Sequence, residues 1–81
     1  MDTKEKIERL RIKAELLLRE NSECFVKDID DTYYFCYILL VGEDKLYIQN
    51  FKGKRFEAGI IKEDLDWADV IRVNEYQEKV E

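Results

Sequence analysis

Between Asp2 and Asn21 the apolar residues Ile7, Leu10, Ala14, Leu17 and Leu18 recur at spacings of three and four. That spacing lines one face of an α-helix, so the pattern predicts a helix over residues 1–21. Asp2 and Glu5 stand at capping-box spacing at its start, and Asn21-Ser22 supplies a stop. At about 100° of turn per residue, Ile12 and Leu16 fall on the opposite side of that helix. They read either as isolated surface apolar residues or as a second contact, with another subunit or with a helical partner.

From Ser22 the period changes to two. Cys24 to Ile29 reads as a short strand, Asp30-Asp31 as a turn, and Thr32 to Val41 as a long strand rich in Tyr, Phe and Ile. This second strand is apolar on both faces. Alternation puts Tyr33, Phe35, Tyr37 and Leu39 on one side and Tyr34, Cys36, Ile38 and Leu40 on the other. A strand of that kind is central, bent or covered on both sides. Gly42-Glu43-Asp44 turns into a third strand, Lys45 to Phe51, and Lys52-Gly53-Lys54 turns into a fourth, Arg55 to Ile61. The acidic stretch Lys62 to Asp69 reads as a turn or short helical segment. Val70 to Tyr76 then reads as a fifth strand, with a helix through 64–80 as the rival because nothing there breaks one. The tail, 77–81, is expected to fray.

One helix followed by five short antiparallel strands is an α+β pattern. A five-stranded meander rarely lies flat, so residues 22–76 are expected to curl into a small barrel with the helix plugging one open end. The ending Trp67-Ala68-Asp69-Val70-Ile71-Arg72-Val73, a tight turn feeding a last strand, resembles the way SH3-like and Sm-like small barrels close. The resemblance implies that fold for the whole chain as a single domain. It does not carry the Sm family's RNA-binding residues or ring assembly. The loop Gly42-Glu43-Asp44 has the family's aspartate without its asparagine, and the one Lys-Gly pair, Lys52-Gly53, comes too early for the family's arginine-glycine motif.

Composition narrows the function. The 81 residues contain 46% hydrophobic and 41% charged residues, three glycines and no proline, which excludes a disordered or low-complexity chain. Two cysteines cannot build a disulfide-dense scaffold. No apolar leader opens the sequence and its longest apolar run, Tyr33 to Val41, is far shorter than a membrane helix, so a cytoplasmic protein with no membrane contact is expected. The net charge of -5 hides opposing blocks: residues 1–21 carry six basic and five acidic groups, 22–44 one and six, 45–62 five and one, and 63–81 two and seven.

No histidine is present, which removes the usual acid–base residue and the triads and most zinc sites that use it. Asp28, Asp30 and Asp31 cluster at one turn, but the calcium-loop glycine and distal glutamate are missing, and turn aspartates commonly accept local backbone amides. The expectation is no enzyme, no metal and no cofactor. A two-residue loop at Asp30-Asp31 would set Cys24 opposite Tyr37. A three-residue loop at Ile29-Asp30-Asp31 would set it opposite Cys36. Pattern leaves both registers open. In a reducing compartment the pair is read as buried free thiols.

Two surfaces remain. Three cations, Lys52, Lys54 and Arg55, crowd a hairpin tip beside Phe51 and Phe56, and Tyr47 extends the same strand. Charge for phosphates next to rings for bases is the signature of oligonucleotide binding. The competing reading is a solvated turn whose phenylalanines point into the core, which alternation favours for Phe56. Trp67, amid Asp64, Asp66 and Asp69, is either a partner anchor or a core residue over the last strand. The leading expectation is a small non-catalytic protein-interaction module that self-associates as a homo-oligomer through Ile12 and Leu16, with Trp67 as a further contact. The alternative is oligonucleotide binding, to RNA or single-stranded DNA, through Tyr47, Phe51, Lys52, Lys54 and Arg55.

Overall fold

The computed structural model describes residues 3–60 and 68–80. Helix α1 (Thr3–Glu20) leads into strands β1 (Cys24–Lys27), β2 (Tyr33–Val41), β3 (Lys45–Asn50), β4 (Arg55–Gly59) and β5 (Asp69–Arg72), and helix α2 (Val73–Val80) follows. The stop of α1 is a Schellman turn. Asn21 takes a left-handed φ of 54°, its N–H donates to Leu18 O at 3.1 Å, and the Ser22 N–H donates to Leu17 O at 3.1 Å.

The strands form one antiparallel sheet in the order β4-β3-β2-β1-β5. An N-terminal helix with a five-stranded antiparallel sheet is the expected α+β architecture, but the meander runs only through β1–β4. The last strand returns beside β1, so that Val26 faces Val70 and Phe25 faces Ile71. The two sheet edges are drawn together at one end. The Gly59 N–H donates to Asp28 Oδ1 at 3.2 Å, and the Ala68 N–H donates to Ile60 O at 3.0 Å. No ladder joins β4 to β5 among the described residues, so the sheet is curled rather than closed.

The core lies between α1 and the inner sheet face. Leu10, Ala14 and Leu17 meet Cys24, Val26, Cys36, Ile38, Leu46, Ile48 and Ala58, with Ile7, Leu18, Tyr34 and Phe56 packed at the margin. Burying a large aliphatic side chain of this kind stabilises by about 1.5–3 kcal/mol, and such packing of an amphipathic face is the main source of a helix's stability in a folded protein. Ile12 and Leu16 point away, as expected, and are 59% and 44% exposed.

Hairpin β1–β2 takes the three-residue loop. The Asp31 N–H donates to Asp28 O at 3.0 Å, Asp31 is left-handed with φ 63°, and the Asp28 N–H donates to Thr32 O at 2.8 Å. That loop sets Cys24 directly opposite Cys36. Both are free and buried. The hydrogen bond shared with Cys24, together with burial, pushes the Cys36 thiol well above the ordinary thiol range.

Three expectations are corrected. Strand β2 is central, but its register shifts between Ile38 and Leu40: Ile38 faces Ile48, whereas Leu40 faces Tyr47. This bulge turns Leu40 from the inner to the outer face. The fifth strand ends at Arg72 rather than Tyr76, and residues 77–80 continue a helix rather than a frayed tail. The cause is the length of the partner. Strand β1 starts at Cys24, opposite Arg72, so a longer β5 would have had unpaired backbone groups, whereas a helix pairs its own.

Helix α2 is tied down by two ion pairs. Lys13 Nζ donates to Glu75 Oε2 at 3.0 Å, and just before the helix Arg72 makes a bidentate pair with Glu20 at 2.9 and 3.3 Å. The hydrogen bond from Arg72 holds the Glu20 carboxyl below its ordinary value, and that from Lys13 does the same for Glu75. Because both are lowered by folding, their stabilisation is complete above the ordinary glutamate value and is lost as pH falls through the folded ones. Acid titration followed by circular dichroism is therefore expected to show loosening of the C-terminal segment below about pH 4.5, the ordinary value of these carboxyls. Glu75→Gln should flatten that transition.

Candidate binding surface

The outer sheet face, turned away from α1, carries a row of aromatic side chains. Odd-numbered positions of β2 put Tyr33, Phe35 and Tyr37 on this face, and register adds Phe25 of β1 opposite Phe35. Tyr76 arrives from α2, which lies against β5 and β1, and Phe51 arrives from the β3–β4 turn. The rings form an unbroken line. Tyr33 and Tyr76 have centroids 5.6 Å apart, Tyr76 stacks on Phe25 at 3.8 Å, and Phe25 meets Phe35 at 4.9 Å. Phe35 then meets Phe51 at 4.7 Å, and Phe51 meets Tyr37 edge-on at 5.5 Å. Polar side chains extend the line. Gln49 Nε2 donates to the Tyr37 hydroxyl at 2.6 Å, and Arg55 Nε donates to Gln49 Oε1 at 3.1 Å.

Exposure is lower in the middle of the row, where α2 lies over it. Phe25 and Tyr76 are half-buried, whereas Tyr33, Phe35 and Phe51 remain 45%, 43% and 53% exposed. Ring-on-ring contact holds these side chains in one arrangement and still leaves their surfaces to solvent, a configuration that costs hydrophobic free energy until something covers it.

The basic hairpin tip adjoins Phe51. It is built by Asn50, whose side-chain oxygen accepts the Lys52 and Lys54 N–H groups, both at 2.9 Å, while Gly53 takes a left-handed φ of 85° that only glycine adopts freely. Lys52, Lys54 and Arg55 are all exposed. Ion pairs engage Lys13, Lys27, Lys45 and Arg72 with Glu75, Asp31, Glu57 and Glu20. None of the tip cations has a carboxylate partner among the described residues. Lys54 lies 5.1 Å from the centroid of the Phe56 ring, and Phe56 packs on Tyr34 at 4.9 Å along the inner edge.

The residues singled out from sequence therefore separate. Phe51, Lys52 and Arg55 adjoin the aromatic row, Lys54 sits at the same tip over Phe56, and Tyr47 stands apart opposite Leu40 and Glu57. Ile12 and Leu16 lie on α1, on the other side of the molecule. Trp67, with Asp64 and Asp66, lies outside the described residues. Asp28 and Asp69 serve backbone amides: Asp28 Oδ1 accepts the Ile29 N–H at 2.8 Å as well as the Gly59 N–H, and Asp69 Oδ1 accepts the Val70 N–H at 2.8 Å. Sequence reading missed Phe25, Tyr33, Phe35, Tyr37 and Tyr76 as a surface. The odd-numbered aromatic positions of β2 were the available signal, but the two-faced apolar strand concealed which side faced solvent.

No helix among the described residues is long and apolar enough to cross a membrane. Compared with protein-family models, curated proteins and solved structures, the chain matches none.

Proposed function

We propose that this chain is a small non-catalytic interaction module of the cytoplasm, a curled sheet of the SH3-like and Sm-like type that associates with itself through α1. The observation that carries this reading is the pair Ile12 and Leu16, exposed one helical turn apart on the side of α1 opposite its buried stripe. The bonds Gly59 N–H to Asp28 and Ala68 N–H to Ile60 support the barrel-like curl, and the free, buried cysteines agree with a reducing compartment. A chain of this size buries a smaller fraction of its surface than a larger domain does, so covering two aliphatic side chains on a neighbour is a direct route to added stability.

Light scattering coupled to size exclusion tests this. The wild type should elute with a mass above the 9.8 kDa of one chain and dissociate on dilution. Ile12→Glu/Leu16→Glu should be monomeric with an unchanged circular dichroism spectrum, since neither side chain contributes to the core. A wild type that stays monomeric to about 100 μM, where a micromolar interface would be populated, removes the self-association.

A further inference from the structure

We propose that the outer sheet face, at its Phe35–Phe51 end, is a docking platform for single-stranded nucleic acid. Bases stack on Phe35 and Phe51, and the phosphates lie against Lys52, Lys54 and Arg55. This rests on the reading of the chain as an interaction module and names the partner of its second surface.

Three observations converge on this occupant. The two rings are about half exposed, and each is held by a neighbouring ring, so they present flat apolar surfaces at no further ordering cost. Base–aromatic stacking uses such surfaces and tolerates any base. Among the described residues the three cations have no carboxylate partner, and they crowd one exposed hairpin tip in a chain of net charge -5. A partner drawn to the tip is therefore anionic, and one that also covers phenyl rings is both anionic and flat. Finally, Arg55 is bonded through Gln49 to Tyr37, which contacts Phe51, so charge and rings belong to one connected array.

The same array limits the length of the site. Beyond Phe25 the row runs under α2 to Tyr33, beside the Lys27–Asp31 pair and the Asp28–Asp31 turn. Carboxylates there repel phosphate. The platform accordingly takes a short stretch at the basic end. Duplex DNA, with its bases stacked inside, offers these rings nothing to cover.

Fluorescence anisotropy with a labelled ten-residue oligothymidylate and a labelled oligouridylate tests the assignment on the intact chain. Both should bind. With about three phosphates neutralised, the slope of log affinity against log salt should be near -2, so affinity should fall roughly twentyfold between 50 and 200 mM salt. Phe35→Ala/Phe51→Ala should weaken binding about tenfold or more while leaving that slope unchanged. Lys52→Gln/Lys54→Gln/Arg55→Gln should remove both the binding and the salt dependence. Circular dichroism confirms that each variant is folded, and because all five side chains are exposed none is needed for the core.

Failure to bind either strand at 50 mM salt overturns the proposal. So does equal binding of a duplex or of a polyglutamate peptide, which would mark simple charge attraction or an acidic protein partner. An Ile12→Glu/Leu16→Glu monomer that still binds oligonucleotide supports the platform independently of self-association. Conversely, a self-associating wild type that ignores both strands leaves the helix contact standing and removes the nucleic acid alone.

Discussion

Leu17→Ala is expected to lower the free energy of unfolding by about 3 kcal/mol, the range found when a buried leucine is truncated and its cavity only partly collapses. Leu17 is 1% exposed and belongs to the stripe by which α1 covers the inner sheet face. An 81-residue chain has a total stability of roughly 4–12 kcal/mol, so this one side chain accounts for a large part of it. In urea the midpoint should fall with little change in slope. The paired control is Leu16→Ala, one residue away and 44% exposed, which should stay within about 0.5 kcal/mol of wild type in the monomer. Equal effects at the two positions would show that α1 packs in another rotation.

Phe25→Ala should cost about 2 kcal/mol and release α2 at the same time. Phe25 is half-buried, stacks on Tyr76 at 3.8 Å and meets Phe35 at 4.9 Å, so it makes the closer of the two ring contacts that join α2 to the sheet, the other being that of Tyr33. Its truncation removes apolar burial and two aromatic contacts, each of about 0.5–1.5 kcal/mol beyond area. The helix left behind has eight residues, too few to persist without packing. Urea unfolding should report the stability loss, and far-UV circular dichroism the lost helicity. Phe35→Ala, at a more exposed position of the row, should cost less and keep the helix. A Phe25→Ala protein with undiminished ellipticity would mean that the Lys13–Glu75 ion pair and the remaining Tyr33–Tyr76 contact suffice to hold α2.

These two substitutions also mark where sequence reading was sufficient and where it was not. The rotation of α1 was legible, because Leu10, Ala14 and Leu17 follow a period that helix geometry alone imposes. So were the turns at Gly42-Glu43-Asp44 and around Gly53, where local backbone chemistry selects the residue. The first hairpin was legible up to its loop length. Asp31 tolerates a left-handed φ, and that property, rather than any feature of the strands, decided that Cys24 faces Cys36. Alternation alone places Leu40 on the inner face, and the bulge, which inserts one residue into an otherwise regular strand, turns it outward.

The C-terminal segment and the candidate site show the boundary most clearly. Alternation of Ile71 and Val73 with Arg72 and Asn74 suits a strand, and the same residues suit a helix. The choice was made by β1, which begins at Cys24 opposite Arg72 and offers no further strand to pair beyond it. Likewise the hairpin cations and Phe51 could be found in the chain as neighbours, whereas the row they adjoin is gathered from β1, β2, a turn and α2. By itself the sequence determined the amphipathic helix, the number of strands, their turns and the segregation of charge, since each depends on contacts within a few residues. The tertiary structure decided which apolar face stayed uncovered, because that depends on pairing lengths and register between segments far apart in the chain.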